Sequence, residues 1–107
     1  MLGSFLLSFR NKFPTARFKG LFDHKIYGFI TDGGVQEEIS QGAGRIAGHL
    51  GLNNFIMFYD SNDVQLSSMT DEVTSEDTAM KYKAWGWNVI TINGHDHSEI
   101  RKALDTA

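Results

Sequence analysis

The chain has no cysteine, one proline in 107 residues, and no apolar run long enough to cross a bilayer. Without cysteine there is no disulfide framework and no thiolate metal site, which suits a reducing, cytoplasmic setting. A single proline, with no repeat and no low-complexity stretch, leaves no internal linker. Positive charge is scarce beyond residue 25: residues 26–107 carry five basic against twelve acidic side chains, a net of −7. An acidic body of that kind argues against non-specific nucleic-acid binding. The length also excludes two lobes with a site between them, because a chain this short forms one domain that buries only about two thirds of its unfolded surface.

What is present begins with a basic segment. Residues 1–25 hold Arg10, Lys12, Arg17, Lys19 and Lys25 against Asp23 alone, a net of +4, behind the apolar start "MLGSFLLSF". No positive charge precedes that apolar stretch and no small-residue cleavage pattern follows it, so a secretory leader is not the expected reading. The remaining composition, 41% hydrophobic and 21% charged, is that of an ordinary globular domain, so a packed core is expected.

From Ile26 the periodicity becomes legible. "IYGFI" is a short β-favouring run that stops at Thr31-Asp32-Gly33-Gly34, which predicts a strand and a tight turn. Ile39, Ala43, Ile46, Ala47 and Leu50 then recur at helical spacing, predicting an amphipathic helix that begins near Gln36 and is closed by Gly51. "FIMFYD", from Phe55 to Asp60, suits a strand covered on both faces. An irregular polar stretch follows from Ser61 to about Thr74. The capping-box spacing of Thr74 and Asp77 predicts a helix over 75–85 stopped by Gly86. "WNVITI" reads as a third strand. Asn93-Gly94 turns the chain, Asp96 and Glu99 offer a helix cap, and Ile100, Ala103, Leu104 and Ala107 mark the stripe of a last helix. Strands alternating with helices imply an α/β fold of three layers, with a mainly parallel sheet flanked by helices.

In such sheets ligands bind beyond the carboxyl ends of strands. Asp32 lies just past the first strand and Asn62 just past the second, so neighbouring strands would bring them to one point. A carboxylate and an amide oxygen, with a free backbone carbonyl, are hard ligands that favour magnesium or calcium over zinc. Gly33 and Gly34 leave room for a phosphate to approach the backbone, and the following helix points its positive end the same way. The physical reading is a metal-bridged diphosphate. Asp-Gly-Gly is also a good plain turn, and Asn62 a good loop cap.

At these residues the sequence resembles a known family. Thr31-Asp32-Gly33, with Asn62 thirty positions beyond the aspartate, resembles the thiamine diphosphate motif that begins Gly-Asp-Gly and ends in Asn. The stretches "DGGVQEEISQGAGRIAGHLGLNNFIMFYDSND" and "EDTAMKYKAWGWNVITINGHD" are similar to the corresponding part of transketolase. The resemblance runs from about Lys12 or Ile26 to the C-terminus, and residues 1–11 match nothing that can be placed. The implied division is an N-terminal segment over 1–25, unplaced or partly matching, and a partial diphosphate-binding domain over 26–107.

The resemblance implies that Asp32 and Asn62 bind magnesium by side chain and Val64 by its carbonyl, with calcium or manganese as substitutes, and that Gly33 contacts the diphosphate through its backbone. It places Glu37 in a carboxylate network near a subunit interface. Thr31 replaces the motif's first glycine, which is tolerable if its dihedrals stay strand-like. Gly42 stands where many members carry a second interface glutamate. The implied activity is transfer of a two-carbon ketol unit between sugar phosphates in the complete homodimeric enzyme, with no nucleic acid and no membrane involved. The companion pyrimidine-binding domain, which supplies the activating glutamate, and the sugar-phosphate ligands fall outside this stretch. The chain is therefore expected to be inactive alone, and a truncated or split gene is the expected origin. The alternative is a non-catalytic binding or interaction module, or a relic, that retains the fold.

Other features invite weaker readings. His95 and His97 with Asp96 read as turn residues and a helix cap rather than a base and its orienter. His49 suits a helix C-terminus. Trp85 and Trp87 read as core and interface aromatics rather than a cofactor stack. The Asp60, Asn62 alternation lacks the glycine and final glutamate of a calcium loop, and "TDGGVQ" lacks the glycine spacing of a dinucleotide fingerprint.

Overall fold

A computed structural model describes residues 4–6, 8, 24–64 and 68–107, so most of the basic segment at 1–25 lies outside the described residues. The fold is α/β, a parallel sheet flanked by helices. Strand β1 (Ile26–Thr31) and strand β2 (Phe55–Asp60) pair in parallel, from Ile26 against Phe55 to Thr31 against Asp60. Parallel pairing needs a crossover, and two helices supply it: α1 (Asp32–Gln36) and α2 (Glu38–Leu50).

The first helix begins earlier than its sequence predicts. Thr31 caps it, its Oγ1 accepting the Gly34 N–H at 3.4 Å, so Gly33 and Gly34 form a helical turn rather than a reverse turn. Thr31 itself is extended, at φ −107°, and that is why a side chain is accommodated where the motif has glycine. Glu37, with ψ 130°, interrupts the helix before α2 restarts. Gly51 ends α2 in the left-handed conformation, φ 55°, as its position predicts.

The buried line of α2 is narrower than the apolar spacing implies. Ala43, Gly44 and Ala47 are buried, while Ile39 and Ile46 are exposed. Small residues win because bulky ones approach them from elsewhere in the chain. Helix α3 (Thr78–Ala84) starts three residues later than 75 because Asp77, not Thr74, is its cap: Asp77 Oδ1 accepts the Met80 N–H at 2.8 Å. The Thr74 hydroxyl is engaged with the Glu76 N–H instead. Gly86, at φ 88°, then turns the chain, and Trp87 donates its indole N–H to the Gly44 carbonyl at 2.8 Å. Tyr82, Trp85 and Trp87 stack edgewise with ring centroids 5.0 and 5.5 Å apart. Trp85 and Trp87 thus pack in the core, against Ile30, Val35 and Tyr82. A second cluster joins Phe5, Ala43, Ala47, Leu52 and Phe55.

Residues 87–92 are the clearest departure from expectation. They join no strand among the described residues, so the sheet described has two strands rather than three, and the Trp87 N–H bonds back to the Tyr82 carbonyl instead. Trp87 and Val89 are held by side-chain packing on the cluster that also receives Met57 and Tyr59. An open groove of about 1690 Å³ separates this segment from the unpaired edge of β2, and Ile100, Ala103 and Leu104 stand on its wall. Apolar alternation tells that a segment is extended and half covered; it carries no information about which neighbour completes the ladder. β2 is also less enclosed than its apolar run implies, because Phe58 stacks on Phe29, which is 77% exposed. The last helix, α4 (His97–Thr106), is capped by Asp96, whose Oδ1 accepts the Ser98 and Glu99 N–H groups at 2.8 and 3.2 Å. The Ser98 side-chain hydroxyl, and then these two backbone bonds, hold the Asp96 carboxyl below its ordinary pKa. None of its apolar stripe is fully buried. Among the described residues no helix is long and apolar enough to cross a membrane.

Candidate functional site

The parallel register sets the site. With Thr31 opposite Asp60, Asp32 and the loop Ser61–Val64 leave the same edge of the sheet. Asp32 opens α1 and is 1% exposed. A carboxylate that far from water needs partners, and it has three. Its Oδ2 accepts the backbone N–H of Asn62 at 3.1 Å and of Asp63 at 2.9 Å, and its Oδ1 accepts the Tyr59 hydroxyl. Sequence spacing brings Asp32 and Asn62 together as expected, but through the Asn62 backbone rather than its side chain.

The Asn62 side chain braces the loop. Its Oδ1 accepts the Val64 N–H at 3.1 Å, and its Nδ2 donates to Asp60 Oδ2 at 3.1 Å. Asp63 is the one non-glycine residue with positive φ among those described, at 60°, a conformation that aspartate tolerates better than most. Its carbonyl accepts from Thr70 at 3.1 Å, beside an antiparallel bridge between Val64 and Met69. The Val64 side chain is exposed, and no described residue donates to its carbonyl. Gly33 has open space beside it: a methyl group there would meet nothing within 4 Å. Glu37 is exposed and shares a shallow pocket of about 380 Å³ with Thr31, Gly34 and Asp60.

Tyr59 is the residue that sequence reasoning missed. It sits one position before the end of β2, half-buried, on the face that packs against Ile30, Val35 and Tyr82. Burial, and then the hydrogen bond to Asp32, raise its pKa, while hydrogen bonds with the Thr78 and Ser61 side chains oppose that rise. The available signal was a tyrosine that closes an apolar run beside Asp60, at the carboxyl end of a strand. Tyr82, buried beneath it, is pushed up to about 12 by burial and by its proximity to Tyr59.

The donor set suits a hard cation. A carboxylate offers about four lone-pair sites and an amide oxygen two. Asp32 uses three of its own, two on Oδ2 and one on Oδ1, while Asn62 Oδ1 uses one. A free lone pair thus remains on Asp32 Oδ1 and another on Asn62 Oδ1, alongside the Val64 carbonyl, and all are oxygens of the kind magnesium and calcium take. No three described carboxylates or histidines cluster as a metal site, so a cation here relies on the amide and carbonyl oxygens. The open side of Gly33 fits close approach of a phosphate to the backbone.

Comparison with known proteins gives a consistent result. The family model described as "Transketolase, thiamine diphosphate binding domain" matches residues 7–107. The transketolase of Physarum polycephalum is 47% identical over 88 residues, which is 81% of this chain and 13% of that protein. A crystal structure of transketolase from Campylobacter jejuni superposes with a TM-score of 0.86 at 39% identity, over 96% of this chain and 16% of that one. A transketolase mutant from Pichia stipitis in complex with xylulose-5-phosphate gives 0.85 at 29% identity, over 97% and 16%. The chain spans about an eighth of the length of the curated relatives it matches.

Proposed function

Given that this chain belongs to the family of transketolase thiamine diphosphate-binding domains, we propose that it supplies the metal and diphosphate half of a thiamine diphosphate site. In this reading the Asp32 and Asn62 side chains and the Val64 carbonyl hold magnesium, and the Gly33 backbone meets the diphosphate. The observation that carries it is the convergence of Asp32 with the Asn62–Val64 loop, where an all-oxygen donor set keeps free lone pairs. The match from residue 7 supports including residues 7–25 in the same domain as 26–107.

When bound, the cofactor contributes a thiazolium that stabilises a carbanion. This chain's residues contribute binding and orientation. The buried Asp32 carboxylate fixes the loop, the loop presents the Asn62 and Val64 oxygens, and the bare backbone at Gly33 admits the phosphate. Glu37 lies close enough to share a pocket with Asp60, which supports its place in a carboxylate network toward a second subunit. The sugar-phosphate class of substrate is supported by the ligand of the Pichia stipitis structure. Ketol transfer itself belongs to the complete protein, in the cytoplasm, with the pyrimidine-binding half supplied from outside residues 1–107.

Calorimetric titration of thiamine diphosphate, with and without magnesium, tests the reading on the intact chain and on Asn62→Ala. Magnesium-dependent binding that the substitution abolishes is the expected result. Absence of binding in a demonstrably folded chain would overturn the half-site and favour a module that keeps the fold alone.

A further inference from the structure

We propose that Tyr59 is a positioning residue for the Asp32 carboxylate, and that its hydroxyl sets both the geometry of the Asp60–Val64 loop and that loop's affinity for a hard divalent cation. The second half of this inference rests on the metal site proposed above; the first does not.

The argument starts from lone pairs. Asp32 Oδ2 is saturated by the Asn62 and Asp63 N–H groups, so the remaining free pair lies on Oδ1, the same atom that accepts from Tyr59. Whatever fixes that hydrogen bond fixes the direction of the free pair. The Tyr59 hydroxyl is itself held in place, because its ring is seated on Ile30, Val35 and Tyr82 and its proton is donated to Asp32 Oδ1. Thr78, which opens α3, and Ser61, which opens the loop, interact with the phenol oxygen through their side chains, so the tyrosine links the end of β2, the start of a helix and the loop to one carboxylate.

The loop needs such an anchor. Asp63 holds a left-handed conformation that costs a non-glycine residue energy, and its N–H is one of the two that Asp32 satisfies. A carboxylate free to rotate would release that N–H, and Asp63 would relax toward an ordinary backbone. The orientation of Asn62 and Val64 would go with it. Partners that orient a ligating carboxylate in this way change metal affinity by about ten- to a hundredfold when removed.

Tyr59→Phe keeps the ring and removes only the hydroxyl. Two measurements on the intact chain test the inference: calorimetric titration of magnesium alone, and hydrogen exchange of the Asn62 and Asp63 amides without metal. The expected result is affinity weakened about tenfold and exchange of both amides accelerated by a similar factor, while the Leu52 amide, bonded to Ala47, keeps its protection. Thr78→Val, which leaves the tyrosine and removes a hydroxyl that interacts with its oxygen, gives the same pattern in smaller measure and stands in if the first variant loses the Leu52 protection too. In an Asp32→Asn background, Tyr59→Phe changes neither amide further. Unchanged exchange at Asn62 and Asp63 overturns the inference, whatever happens to the affinity. If the parent chain binds no magnesium, faster exchange in the variant upholds the anchoring of the loop while the metal reading falls.

Discussion

Two regions of this molecule meet along β2, and they are held by opposite means. On one side the α2 helix packs against Tyr82–Trp87 with almost no tolerance: a methyl on Gly48 would lie 2.0 Å from the Trp85 carbonyl oxygen, and one on Gly44 3.1 Å from the Tyr82 ring. On the other, the Asp60–Val64 loop is mostly exposed and is gathered by one buried carboxylate. The seam is specified by the absence of side chains, the loop by the presence of a charge. A steric seam fails all at once when something is added, whereas a hydrogen-bonded loop fails by degrees as partners are removed.

Substitutions can sharpen that contrast. The largest effect is expected from Gly48→Ala, where the backbone of the Trp85 turn must move; chemical denaturation should register a loss of about 3 kcal/mol. Asp32→Ala leaves the Asn62 and Asp63 N–H groups and the Tyr59 hydroxyl without their acceptor, and the same measurement should show about 2 kcal/mol. Its hydrogen-exchange footprint should stay within 59–64, and a footprint that reached Gly44 or Trp87 would break the separation of the two regions.

The seam also carries a pH dependence. Burial raises the Tyr82 pKa from 10.0 to about 12, so the fold favours its protonated form. That stabilisation is fully present below pH 10 and is lost as pH climbs through 12, a fall of roughly 1–2 kcal/mol. Thermal melts of the parent and Tyr82→Phe between pH 9 and 12 should diverge in that window and agree below it. The Tyr82 hydroxyl is buried without a partner among the described residues, so the phenylalanine variant should also be no less stable at pH 7. The smallest effect is expected at Gly42, on the same helix but with nothing within 4 Å of its missing side chain. There alanine should stabilise by about 0.5–1 kcal/mol, through helix propensity alone. A destabilised Gly42→Ala would mean that glycine serves α2 generally and not only where Tyr82 and Trp85 press on it.

Much of this arrangement was legible in the sequence. Helical spacing gave α2 with its Gly51 stop, Asp96 announced α4, and the alternation of apolar runs with helices implied a parallel pair that puts Asp32 beside Asn62. What escaped were features decided by groups distant in the chain. Nothing local to Gly44 and Gly48 tells that indole rings will rest there, so Ile39 and Ile46 read as core when they are exposed. Tyr59 read as one more apolar strand residue because its function lies in its last atom. Residues 87–92 read as a strand because they have a strand's pattern, and a pattern does not supply a neighbour.

The parallel register has a consequence for how such a domain can change over generations. Side chains alternate along β2, so a single residue inserted between Phe55 and Phe58 would turn Tyr59 to the other face of the sheet and shift the loop by one pairing step. Asp32 would then lose its phenol and both amides together. Lengthening the Gly51–Asn54 connection moves none of these groups relative to β1. Substitution within β2 is therefore gradual in its effect, but a change in its length is not, and descendants of this chain should vary in which residues fill the strand and hardly at all in how many.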